Sequence, residues 1–74
     1  MPTGTSLKFK TASKIKALRK RKGLTQEELA GSAGLEYKYI QRIESKNPPN
    51  LGIETLEKIA RALKVSLSKI LESS

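Results

Sequence analysis

The sequence predicts an all-α domain of five short helices, and three observations lead to it. Over Gln26–Glu44 two short helical patterns meet at a tight corner, with Ala30 where the helices cross and Gly34 at the corner itself. Leu56, Ile59, Ala60 and Leu63 recur at i, i+3, i+4 and i+7, the spacing of one buried helix face. No stretch alternates apolar and polar residues with the period of two that a half-buried strand needs.

Taken in order, residues 1–10 (MPTGTSLKFK) mix Pro, Gly, Thr and Ser with Leu7 and Phe9, and read as a flexible basic tail. A single domain then occupies 11–72. Its first helix covers about Thr11–Lys22, turns Ile15 and Leu18 inward and stops at Gly23. Thr25-Gln26-Glu27-Glu28 is a capping box: the Thr25 hydroxyl accepts from the Glu28 N–H and the Glu28 carboxylate reaches back. Both glutamates also suit the positive end of the helix dipole. The second helix runs to about Ser32, Gly34 makes the turn, and the third helix covers about Glu36–Glu44 on the apolar anchors Ile40 and Ile43. Two prolines make 45–52 a loop. A fourth helix follows over Ile53–Leu63, and Ser66 caps a fifth over Leu67–Leu71.

Size and charge narrow the function. A chain of 74 residues without Cys or His has no disulfide framework and no Cys/His zinc site, so its stability comes from an apolar core. No metal or cofactor is expected. No apolar run approaches the roughly 20 residues of a membrane span, so a soluble cytoplasmic protein is expected, with no membrane partner. The net charge is +8, and its placement matters more than its sum. Lys8, Lys10, Lys14, Lys16, Arg19, Lys20, Arg21 and Lys22 all precede the first acidic residue, Glu27. Such asymmetry suits a polyanion, although a solvated helix face that aids solubility has the same composition. An enzyme is a poor reading, because no catalytic Cys, His or Asp and no phosphate-cradling loop is present.

The outward face of the third helix carries Tyr37, Lys38, Gln41 and Arg42, a set suited to a DNA groove. Counted from Gln26, the chain has aliphatic residues at Leu29, Leu35, Ile40 and Ile43, with Ala30 and Gly34 between them. In that pattern it resembles the Cro/phage-repressor type of helix-turn-helix domain (the XRE family, lambda-repressor-like in fold), shared by phage repressors and restriction-modification controller proteins. The resemblance spans about 12–71, from IKALRKRKGLTQEELAGSAGLEYKYIQRIES to IETLEKIARALKVSLSKIL.

The resemblance implies that helix 3 enters the major groove of double-stranded DNA while helix 2 crosses the backbone. Tyr37, Lys38 and Arg42 then take base-facing positions, with Gln41 beside them. Lys38 and Arg42 donate to guanine O6/N7, and the departure Glu36, where relatives place Ser or Thr, offers an acceptor for cytosine N4. Gln26, Tyr39, Lys46 and Asn47 are the implied phosphate contacts, which fix register without reading sequence. Arg19 and Glu44 are the implied ion pair joining helix 1 to the end of helix 3. Lys46 replaces a common glycine after helix 3, and the linker KNPPNLGIE is longer than usual, with Gly52 at the cap of helix 4.

The apolar residues Leu67, Ile70 and Leu71, with Leu51 and Ile53 beside them, are the expected interface of a homodimer; a fifth helix that only caps the core is the alternative. The leading reading is a transcriptional regulator on a palindromic operator. The other is a protein-interaction module, such as an antitoxin or adaptor, built on the same fold.

Overall fold

The computed structural model describes the backbone of residues 3–71 and the side chains of residues 8–71. Five helices follow one another: α1 Thr3–Arg21, α2 Gln26–Ala33, α3 Tyr37–Ile43, α4 Ile53–Leu63 and α5 Leu67–Leu71, with no strand among the described residues. The helical domain anticipated from sequence is therefore present. Helix α1 begins at Thr3 rather than near Thr11. Residues 5–10 contain neither Pro nor Gly, so nothing in the backbone stops the helix from running upstream. The composition of 1–10 had suggested a tail. Met1 and Pro2 lie outside the described residues.

The core forms where the five helices converge. Ile15, Leu29, Ile40, Ile43, Ile59, Leu63 and Ile70 are the fully buried large side chains, drawn from every helix. Fully burying a side chain of this size gains about 1.5–3 kcal/mol, so these seven are the largest individual apolar contributions to the fold. Buried Ala30, Ala33 and Ala60 let backbones approach where α2 packs on α3 and α4. Ile70, expected at a dimer interface, is 1% exposed and belongs to this core, so its side chain offers almost no surface to a partner. Its position on the inner face of α5 seats that helix against α1 and α4.

Each corner has its own stop. Gly23 (φ 73°) and Gly34 (φ 70°) adopt the left-handed conformation that glycine accepts without cost. Across these corners the Leu24 N–H donates to Arg19 O at 3.0 Å and the Leu35 N–H to Ala30 O at 2.9 Å. Helix α4 ends in the same way, with Val65 N–H on Ala60 O at 3.0 Å, but the left-handed residue there is Lys64 (φ 59°, ψ 42°). A side chain in that region costs about 1–2 kcal/mol. Helix α3 ends differently. The Ser45 hydroxyl donates to Arg42 O at 2.7 Å and accepts from the Asn47 N–H at 3.3 Å. No left-handed residue is used, which is why lysine at 46 needs no glycine.

Two substitutions test these corners. Gly34→Ala meets no atom within 4 Å at the new Cβ, so its cost is the dihedral strain less what the stiffer unfolded chain returns, about 0.5–1 kcal/mol net. Lys64→Gly removes the same strain at the end of α4. Its gain is about 0.5–1 kcal/mol after the added freedom of the unfolded chain, a rise in Tm of roughly 4 °C by thermal denaturation.

Candidate nucleic-acid interface

Helices α2 and α3 are joined by Gly34, Leu35 and Glu36, so the angle between them is set by the corner and by what lies beneath. Thr25 opens α2: its Oγ1 accepts from the Glu28 N–H at 3.0 Å, and Glu28 Oε1 accepts from the Thr25 N–H at 2.9 Å. At the corner, Ile40 and Ile43 turn into the core and Leu35 is half-buried against it. This orientation sends the opposite face of α3 outward. Tyr37, Lys38, Gln41 and Arg42 are all exposed, Tyr37 to 42%.

The far end of α3 is held by charge. Glu44 follows the helix, and its side chain is only 1% exposed. Its Oε2 accepts from Arg19 Nε at 2.7 Å, and its Oε1 accepts from Arg19 Nη2 at 2.9 Å. The remaining guanidinium face is used as well: Arg19 Nη1 donates to Leu24 O at 2.6 Å. Gln26 Nε2 donates to Glu44 Oε1 at 3.0 Å. One carboxylate thus ties α1, the α1–α2 corner and the start of α2 to the end of α3. Burial pushes the Glu44 carboxyl up, but the Arg19 and Gln26 hydrogen bonds and the charges of Arg19 and Lys16 outweigh it, and the net direction is down. The Glu44 hydrogen bond raises the Arg19 guanidinium, which burial opposes.

The structure changes the reading of several site residues. Gln26, expected to present its amide to a phosphate, spends one amide N–H on Glu44; a second N–H remains, since a glutamine amide carries two. Glu36 stands at the N-cap of α3 in extended conformation (φ −75°, ψ 145°), but its carboxylate accepts no capping hydrogen bond and is exposed. Tyr39 is half-buried and packs against the core. Lys46 and Asn47 are exposed in the loop that follows α3. Of the remaining expected dimer contacts, Leu67 is half-buried against the core and Leu71 is 41% exposed. Sequence reasoning missed the Leu24 carbonyl, the Gln26–Glu44 bond and the Ser45 closure. The first two link residues 5 and 18 positions apart through side-chain rotamers, which no local pattern encodes.

With this geometry in place, comparison with known proteins gives a consistent result. Residues 15–70 match the family described as Helix-turn-helix, and the chain belongs to that family. It is 39% identical over 59 residues to the HTH-type transcriptional regulator SinR of Bacillus subtilis, covering 80% of this chain and 53% of SinR. Over 57 residues it is 42% identical to the immunity repressor protein of Bacillus phage phi105, covering 77% of this chain and 39% of the repressor. The chain spans about half the length of SinR and less of the phage repressor. Among solved structures, the restriction-modification controller protein C.AhdI of Aeromonas hydrophila superposes with a TM-score of 0.79 at 30% identity, over 85% of this chain and 94% of that one. SinR in complex with DNA gives 0.78 at 37% identity, over 84% and 98%. No described helix is long and apolar enough to cross a membrane.

The Glu44 cluster makes two predictions. Arg19→Ala leaves a buried carboxylate without its partner and destabilises the fold by about 3 kcal/mol, measured by urea unfolding. Because the folded Glu44 carboxyl titrates below its ordinary value of 4.5, the pair's contribution is complete above that pH and is lost as pH falls through the lower, folded value. Arg19 stays charged throughout this range. Glu44→Gln should therefore be less stable than wild type at pH 7 and should lose less on acidification below pH 4.5; stability curves at several pH values check both.

Proposed function

We propose that this chain is a sequence-specific DNA-binding regulator of transcription, working in the cytoplasm, that inserts α3 into the major groove. The observation that carries the reading is the fixed α3. Its inner face is buried, its C-terminal end is bound through Glu44, and four exposed polar residues share its outer face. Membership of the helix-turn-helix family, and likeness to regulators and repressors, support it.

On this reading Tyr37, Lys38 and Arg42 contact base edges, with Gln41 beside them and Glu36 available to accept from a cytosine amine. Phosphates are held by the free amide N–H of Gln26, by backbone N–H groups at the start of α2, and by Lys46 and Asn47. Tyr39 contributes its hydroxyl at the edge of the helix. The partner is double-stranded DNA, and the second copy is this same chain. Leu71 and Ile53 (56% exposed), with half-buried Leu51 and Leu67, form the apolar end through which two copies pair. Such a dimer sets two α3 helices about one turn of DNA apart, on a palindromic operator.

Selection of bound sites from random duplexes tests the reading: an enriched palindrome is the expected result, and a pool with no preference argues against it. With the selected site in hand, Arg42→Ala should cost about 1–3 kcal/mol and relax preference at one base pair, whereas Gln26→Ala should weaken selected and scrambled duplexes alike. In analytical ultracentrifugation at micromolar concentration the wild type should sediment as a dimer and Leu71→Glu as a monomer. A monomeric wild type would remove the dimer from the scheme.

A further inference from the structure

Helix α1 carries more positive charge than the fold uses. Among the described residues the one ion pair is Arg19–Glu44, and Lys10, Lys16, Lys20 and Arg21 are exposed on the same helix. These cations do not share one direction. Phe9, Ser13, Lys16 and Lys20 follow one another at i, i+4, i+7 and i+11, a single row along the helix. Phe9, Ser13 and Lys16 line a recess of about 140 Å³ whose other wall is Ile43, Glu44 and Ser45, the C-terminal end of α3. Lys10 and Lys14 stand about 100° further round the helix, one residue past Phe9 and Ser13, and neither lines that recess.

The row therefore meets the end of α3 through Lys16, with Lys20 one turn further along, and neither ammonium forms an ion pair among the described residues, although the Lys16 charge also acts on Glu44. The Glu44 carboxylate beside Lys16 already accepts from Arg19 and Gln26 and is nearly closed to solvent. Lys20 suits the negative end of the α1 dipole, but Lys16 lies too far back for that effect, which fades beyond the last turn.

We propose that Lys16 and Lys20 form a second phosphate grip, holding duplex DNA backbone beside the C-terminal end of α3 and outside the contacts of the α2–α3 unit. This inference rests on the DNA-binding reading above and adds a site to it. The grip has no base to read at that place, so it strengthens binding to every sequence equally and makes binding more sensitive to salt.

The test compares two double variants of equal net charge, K16Q/K20Q and K10Q/K14Q, with wild type and K16R/K20R. Each is titrated with a selected duplex and a scrambled one over a range of salt concentrations, after thermal melting shows that the fold is kept. For K16Q/K20Q the slope of log K against log salt should become shallower by about 1.8, since each phosphate contact contributes about 0.9. The ratio of selected to scrambled affinity should stay at the wild-type value. K10Q/K14Q and K16R/K20R should both retain the wild-type slope. Equal loss in the two Lys→Gln variants would mean diffuse charge and overturn the proposal, as would an unchanged K16Q/K20Q slope or an altered affinity ratio. A wild-type chain that binds neither duplex would overturn the DNA reading and this inference together, whereas failure of K16Q/K20Q alone leaves the DNA reading intact.

Discussion

The fold turns on one nearly solvent-free carboxylate. Glu44 sits at the end of a seven-residue helix too short to hold its own orientation, and it accepts from two side chains on two other helices. Isolated helices of this length are not stable in water, so the direction of α3 is a tertiary property. Ile40 and Ile43 fix which face points inward, but apolar burial is non-directional and says little about where the end of the helix sits. The bidentate Arg19–Glu44 contact places that end because a planar guanidinium meets a carboxylate in few geometries. Its net contribution to stability is modest, since desolvation offsets attraction, and its larger effect is on position.

Around that point the corners are built from different materials for one purpose. Glycines turn the chain after α1 and α2, a strained lysine does so after α4, and a serine side chain closes α3. Left-handed corners turn the next segment sharply away from the axis of the helix just finished. The serine closure instead releases the chain into an extended loop through Pro48 and Pro49, and Pro48 is buried. Ser45, Lys46 and Asn47 thus stay exposed just beyond α3, and Pro49, Asn50 and Leu51 come to lie beside α1.

Much of this was legible in the sequence because the determinants are local. The limits of α4 and α5, the capping box and the glycine corners follow from residues within a few positions of one another, and all appear in the structure. The Arg19–Glu44 pair came from the family resemblance and not from spacing. What local reading missed depends on packing. Helix α1 extends upstream because no residue there breaks it, while the composition of 1–10 suggested a tail. Ile70 has the same apolar character as Leu71, and only the placement of α5 shows that one faces the core and the other solvent. Gln26 looked available to a phosphate because its partner lies 18 residues away.

If α3 reads bases as proposed, its brevity has an informational consequence. Seven helical residues extend about 10 Å, three steps along a duplex whose base pairs rise about 3.4 Å. Complete readout of about four base pairs carries roughly eight bits, whereas singling out one position among some 10⁶ competing sites takes about twenty. Better side chains on α3 would not close that gap, because the limit is length and not chemistry. On the proposed reading, pairing two such helices doubles the content to about sixteen bits, so repetition closes most of the gap where a better side chain on α3 cannot.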